Sequence, residues 1–300
     1  MSRMKSRKIE IDANAKINLF LEVGLRRADG YHDIESVMQA VTLSDKVTVE
    51  AGDGVGRGIA LECDGLPTDR GNIAYRAAEL FCRAAGIEPH VKIHIEKRIP
   101  VAAGLAGGST DGAAVLRALR AIFGDVSADE LMDIAAGIGA DVPFCVAGGT
   151  ALARGIGEQL SECPVLPDCH ILIAKRSEGV LTPEAFRELD RSREGVRYIG
   201  RSAERMLAAL RTGDISEIGN ELYNAFGTLP YASRLGADVI AATCRDHGGY
   251  PLLSGSGPSV FALFEDENDA ARAMSSVCGI YPDAAVFICR PAGKNDDVNI

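Results

Sequence analysis

No apolar run in this 300-residue chain approaches the ~20 residues that a bilayer crossing needs. Stretches such as Ile171-Leu172-Ile173-Ala174 end far sooner, so no membrane partner is expected. Met1 to Glu10 carries basic residues but neither an apolar segment nor a small-residue cleavage site, which points to a cytoplasmic rather than a secreted protein. The eight cysteines form no C-x-x-C, and most sit in apolar surroundings, so reduced, buried thiols are expected rather than disulfides or zinc. Positive charge is scarce: 32 Lys and Arg against 42 Asp and Glu leave a net −10, a poor balance for a protein that grips nucleic acid. No Walker loop and no G-x-G-x-x-G fingerprint occurs, which disfavours the familiar nucleotide folds.

What is present is a globular composition, 47% hydrophobic and 25% charged, over a length suited to about two domains. Glycine is abundant, 33 residues, where roughly 7% is usual. Alternation of Ile17, Leu19, Leu21 and Val23 with Asn18, Phe20 and Glu22 predicts a strand, preceded by another near Ile9 and Ile11. Val37 to Val49 predicts further strand, and Gly52 to Gly58 a loop. Asn72 is placed to cap a helix ending at Gly86, and Val91, Ile93 and Ile95 predict a strand. Ser127 to Glu130 reads as a capping box. Pro164 to Pro167 interrupts the pattern and divides residues 1–163 from 164–300. Beyond it come a strand (Ile171 to Ala174), a helix with Thr182 as cap and Pro183 next, and two or three helices up to His247. A strand, the Ser254-Gly255-Ser256-Gly257 loop, a strand, a helix and a strand follow, with a frayed tail from Asn295. The order suggests two α+β domains.

Pro100-Val101-Ala102-Ala103-Gly104-Leu105-Ala106-Gly107-Gly108-Ser109-Thr110 joins a strand to a helix that Asp111 opens. Free amides at a helix start, approached through small residues, cradle phosphate, and Ser109 and Thr110 add hydroxyls. A tight turn that needs glycine for its backbone angles is the competing reading. Asp141, between Gly139-Ala140 and Val142-Pro143, can take a proton from a substrate hydroxyl or simply cap a helix. Lys16 lies in a mostly apolar strand, where it needs an anionic partner unless it faces solvent. Tyr31 and His32, in a turn from Arg27, can stack on a base or cover the domain edge. The Ser254–Gly257 loop is a second phosphate contact or a turn.

Together, Ala15-Lys16-Ile17-Asn18-Leu19, Asp29-Gly30-Tyr31-His32, Pro100 to Asp111, Gly139 to Pro143 and Ser254 to Gly257 resemble the GHMP small-molecule kinases, in order along most of the chain. The resemblance implies the GHMP kinase fold: an N-terminal nucleotide domain like ribosomal protein S5 and a ferredoxin-like C-terminal domain. It implies ATP with Mg²⁺, and transfer of phosphate to the 2-hydroxyl of a cytidine-diphosphate-linked methylerythritol. Lys16 and Asp141 would be the catalytic pair. Pro100 to Thr110 would hold ATP, with Lys97 and Asn72 near the nucleotide. Tyr31 and Phe186 would sandwich the cytosine, His32 would read its edge, and Asn18 and Thr182 would line the substrate pocket. No carboxylate identifies itself as a metal ligand. Ala106 and Thr110 replace a glycine and a serine usual in the family, and Asn224-Ala225-Phe226-Gly227 departs from its acidic continuation. The alternatives are a homoserine- or mevalonate-type kinase of the same superfamily, or a non-catalytic nucleotide- or RNA-binding module. A monomer or weak homodimer is expected.

Overall fold

The computed structural model describes residues 6–176 and 182–295. In chain order the elements are β1 (Arg7–Arg26), β2 (His32–Ala51), β3 (Gly58–Cys63), α1 (Ile73–Ala84), β4 (His90–Glu96), α2 (Gly107–Phe123), α3 (Ala128–Ile138), α4 (Val142–Ala147), β5 (Thr150–Arg154) and β6 (Gln159–Glu162). Then come β7 (His170–Lys175), α5 (Thr182–Ser192), α6 (Glu204–Thr212), α7 (Ile215–Asn220), β8 (Tyr223–Asn224), a 3₁₀ turn (Ala225–Thr228), α8 (Pro230–Arg234), α9 (Ala237–Asp246), β9 (Tyr250–Leu253), β10 (Val260–Phe264), α10 (Glu267–Ile280) and β11 (Ala285–Cys289).

The two strands expected near Ile9 and Ile17 are one, β1, which forms a long antiparallel hairpin with β2. Its register shifts between Asn14 and Lys16, between Asn18 and Phe20, and between Val23 and Arg26. Such bulges bend a strand and re-aim its side chains without ending it, so two separate runs of alternation can belong to one strand. Strands β3, β4, β2, β1 and β8 lie side by side, with β5 and β6 attached to the other end of β2. Helices α1, α2 and α3 cover this sheet over a core built from Val47, Val49, Ile93, Phe81, Leu116 and Leu119.

The second sheet runs β11-β7-β10-β9, and its pairings are antiparallel. Numbered within the sheet, that is order 4-1-3-2, the ferredoxin-like arrangement. Ile171, Ile173, Phe261 and Leu263 of this sheet share a core with Ile17, Leu19 and Phe20 of β1. Its other face packs on Ile240, Ala270 and Val277 of α9 and α10.

Local signals act as expected where they are strong. Asn72 accepts the Ala74 amide at 2.9 Å, and Ser127 and Glu130 cap α3 reciprocally. β3, β6 and the two-residue β8 escape the sequence pattern because each is short, and β5 because Thr150 to Ala153 are all buried and show no alternation. The stretch expected to hold two or three helices contains α6 to α9 and the 3₁₀ turn, for the same reason. Helix α2 opens at Gly107 rather than at Asp111, so Gly107 to Thr110 are its first turn. Thr182 is already helical, one place inside its expected position. Asn295 is not frayed: its side-chain amide donates to the carbonyls of Cys145 and Val146, while the rest of the tail lies outside the described residues. The cysteines are free, as their spacing suggested. Among the described residues no helix is long and apolar enough to cross a membrane.

Candidate active site

A cleft of about 1050 Å³ follows β1 and the loop ahead of α2. Its middle is built by β1. Ala15, Ile17 and Leu19 point into the shared core, so the two-residue period turns Lys16 and Asn18 to the opposite face, which lines the cleft. Lys16 Nζ donates to Asn18 Oδ1 at 2.9 Å and lies 3.7 Å from Asp141 Oδ2. Asn18 Nδ2 in turn donates to Ser36 Oγ at 2.8 Å, and Ser36 Oγ to the Phe20 carbonyl at 2.7 Å. This chain fixes the asparagine amide and, through it, the ammonium. Asp141 stands at the N-cap position of α4, yet its carboxylate caps no amide. It is one-third exposed where the Lys16 side chain is buried, so the carboxylate faces the cleft with the ammonium behind it.

One end of the cleft is the glycine loop. Ala102 and Ala106 have φ of 51° and 58°, left-handed backbone that a Cβ disfavours by about 1–3 kcal/mol. Gly104 has φ of 73°, and a Cβ there would sit 2.2 Å from the Ser254 carbonyl oxygen. Ser254 Oγ donates to the Gly104 carbonyl at 3.0 Å, so the Ser254–Gly257 loop clasps the glycine loop, and Gly255 and Ser256 join the cleft wall. Beyond, the amides of the first turn of α2 carry the positive end of the helix dipole. Under that turn Lys97 Nζ donates to Asp45 Oδ2 and, at 2.7 Å, to Asp111 Oδ2. Burial pulls the Lys97 ammonium down, but Asp111 and Asp45 together outweigh it and hold it above its usual range. Leu66, Pro67, Asn72 and Ile73 complete this end.

The other end is aromatic. The His32 and Phe186 rings lie 4.9 Å apart, and Phe186 meets Phe226 edge-on at 5.0 Å. His32 Nε2 lies 2.8 Å from Asp190 Oδ1, which sits one turn beyond Phe186 on α5. Tyr31 stands at the rim, 60% exposed. Thr182 Oγ1 is 3.2 Å from Ser256 Oγ, so α5 touches the clasping loop.

The cleft thus gathers Lys16, Asp141, Pro100 to Ser109, Lys97, Asn72, Asn18, Tyr31, His32, Thr182 and Phe186. Thr110 stands apart: it is buried, and its hydroxyl donates to the Gly107 carbonyl at 2.8 Å within the helix. Missed from the sequence were Asp111, Asp190 and Phe226, which also line the cleft. Asp190 follows Phe186 at helical spacing, a signal the sequence did contain; Phe226 comes to the site through tertiary packing alone. Among the described residues no three His, Cys, Asp or Glu side chains cluster as a metal site would.

The family model for the GHMP kinases N terminal domain matches residues 72–149, and that for the GHMP kinases C terminal domain matches 206–283. A 4-diphosphocytidyl-2-C-methyl-D-erythritol kinase of Caldicellulosiruptor saccharolyticus is 41% identical over 88% of this chain and 90% of its own length. A crystal structure of 4-(cytidine 5'-diphospho)-2C-methyl-D-erythritol kinase superposes with a TM-score of 0.79 at 33% identity, covering 95% of this chain and all of that one. A homoserine kinase from Cytophaga hutchinsonii shares the fold alone, with a TM-score of 0.73 at 20% identity over 98% of this chain and 97% of its own. From these similarities and the two domain matches, the chain belongs to the 4-diphosphocytidyl-2-C-methyl-D-erythritol kinases, a branch of the GHMP kinases.

Proposed function

We propose that this chain transfers the γ-phosphoryl group of ATP to the 2-hydroxyl of 4-diphosphocytidyl-2-C-methyl-D-erythritol, releasing ADP and the 2-phosphate. The observation that carries the residue roles is position: Lys16 and Asp141 lie between a glycine-lined helix start and an aromatic pocket. The triphosphate takes the amides of the loop from Pro100 to Ser109 and the first turn of α2. The cytosine takes the pocket of Tyr31, His32 and Phe186, which leaves the methylerythritol at mid-cleft beside Asn18 and Asp141.

In the reaction the substrate oxygen bonds to the γ-phosphorus, the bond from that phosphorus to the β-phosphate oxygen breaks, and the hydroxyl proton passes to Asp141. Lys16, 3.7 Å from that carboxylate, holds it in place before transfer and offsets charge on the moving phosphoryl group. Beyond accepting that proton, the protein supplies mainly positioning and charge, since the nucleophile is the substrate's own hydroxyl.

The donor set accommodates Mg²⁺. Asp141 is a cleft-lining carboxylate with no amide on it, and Mg²⁺ is commonly held by one or two carboxylates plus substrate phosphates. Held chiefly by the nucleotide's own phosphates near Asp141, the ion would supply neutralisation of phosphate charge. With a net charge of −10 the protein cannot draw two polyanions by its overall field, so local dipoles and cations must do it.

The test is ADP release with the cytidine-linked alcohol, homoserine and mevalonate in parallel. Turnover with the first supports the reading; turnover only with another alcohol replaces it by a different GHMP activity, and none at all returns the chain to a binding module.

A further inference from the structure

At the base of the nucleotide end three charged side chains meet away from water: Lys97, Asp45 and Asp111, with 14%, 0% and 2% of their side chains exposed. Asp45 is richly solvated by the protein. One oxygen takes the Lys97 ammonium, and the other accepts the amides of Arg98 and Ile99. Asp111 is not. Its Oδ2 takes Lys97, but its Oδ1 is buried without a hydrogen-bond partner. One ammonium cannot neutralise two carboxylates, and the surplus falls on the acid with the fewer donors.

Among the described residues, Lys97 is the cation paired with Asp111. From the stretch after β4, Arg98 turns its guanidinium to Glu96 at 3.6 Å. β3 presents the Cys63 thiol and α4 the Cys145 thiol, both pushed up chiefly by burial and so neutral. α1 presents Ile73 to the glycines beside Asp111, and Lys16 of β1 is engaged by Asn18 and Asp141. The cluster also lies directly beneath the proposed phosphate seat: a Cβ on Gly107 would be 3.4 Å from Lys97 Nζ.

Resting on the ATP reading above, we infer that Asp111 takes up a proton when a nucleoside triphosphate settles on the glycine loop, so that nucleotide binding and the charge of this one carboxyl are coupled. The physical ground is repulsion at short range in a dry site: a polyanion above a surplus carboxylate is relieved when that carboxylate becomes neutral. The proton is available near neutrality, because burial, opposed by Lys97 and reinforced by Asp45, pushes the Asp111 carboxyl up to about 7. Coupling is reciprocal. The protonated form binds nucleotide better, so affinity falls as pH rises through the titration of Asp111, and bound nucleotide shifts that titration upward. Asp111 acts here as a positioning residue that tunes the loop's affinity and takes no part in the transfer.

Calorimetric titration with the β,γ-imido analogue of ATP and Mg²⁺, from about pH 6.5 to about pH 9, in buffers of different ionisation heat, counts the protons taken up. The wild-type chain is expected to take up a substantial fraction of a proton near pH 8, with Kd rising about threefold or more across the upper half of the range. Asp111→Asn, isosteric with the neutral acid, should lose that fraction and bind with a flat pH profile. Equal proton counts and slopes in the two chains overturn the coupling. So does an Asn chain whose nucleotide binding no longer gains from Mg²⁺, since Asp111 would then be a cation ligand. Should the Asn chain not fold, infrared difference spectra of the wild type with ¹³C-carboxyl aspartate decide: a protonated-carboxyl band gained on nucleotide addition supports the inference, and its absence overturns it. A chain that binds no analogue at any pH sinks the ATP reading itself, a result separate from binding without proton uptake.

Discussion

The main-chain N–H of Lys16 donates to the Leu105 carbonyl at 3.1 Å, so the residue that pairs with Asp141 is tied through its backbone to the glycine loop. The pair and the loop are therefore set relative to each other by β1 itself. No flexible side chain has to span the gap between phosphate seat and acceptor.

Replacing Asp141 by Asn keeps its shape and removes the proton acceptor. The expected outcome is a fall in kcat of about 10²–10⁴ with KM for ATP little changed, read by ADP release. Lys16→Met should lower kcat as well. An Asn chain with wild-type turnover would remove Asp141 from the mechanism.

Tyr31 is mostly exposed, so its loss costs the fold little. Tyr31→Ala should raise KM for the cytidine-linked substrate about 5- to 150-fold, the range of one base–aromatic stack, with KM for ATP unaffected. Phe186→Ala should do the same and also lower Tm, since Phe186 packs on His32 and Phe226. Matching losses for both substrates would place the nucleobase elsewhere.

Gly104→Ala sets a Cβ against the Ser254 carbonyl and forces alanine into the left-handed region. The backbone alone costs about 1–2 kcal/mol, which in a chain of this size lowers Tm by roughly 1.5–3 °C. Because the clash displaces the loop, nucleotide binding should weaken beyond what the Tm shift implies. Differential scanning calorimetry and nucleotide titration on the same preparation separate the two effects.

Stability should also carry the mark of Asp111. Its carboxyl titrates at about 7 in the folded chain, above the 3.8 of a free side chain. A raised folded-state value means stability that is whole below about pH 4 and is lost as pH rises toward about 7. At pH 8 the full difference corresponds to at most about 4 kcal/mol, less what Lys97 loses with its partner. Asp111→Asn should therefore compare best with the wild type, in Tm, at pH 8 and worst at pH 5. A Tm difference that does not vary with pH would contradict this.

How much of this was legible depends on how far apart the cooperating residues lie. The alternation of Ile17 and Leu19 with Asn18 is local and marks the strand, but whether Lys16 meets an anion or solvent depends on Asp141, 125 residues away. The Asn72 cap and the Ser127–Glu130 box are local too. Lys97 was expected near nucleotide, but its tie to Asp45 joins residues 52 positions apart, and nothing in either neighbourhood announces the other. Thr110 lies deeper than the sequence suggests because the helix start falls at Gly107: three residues into a helix, a threonine hydroxyl readily reaches its own preceding turn. Asn224, where the chain departs from the family pattern, donates to the carbonyls of Leu253 and Gly255 and so braces the Ser254–Gly257 loop, a role visible only once the sheets are assembled.

The mutual grip of Gly104 and Ser254 has a consequence for anyone recombining these enzymes. The two segments lie 150 residues apart in the chain, yet each supplies the surface against which the other is moulded. A chimera that transplants one without its mate inherits a mismatched seam at the glycine-loop end of the cleft. Moved as a couple, they should carry their geometry with them.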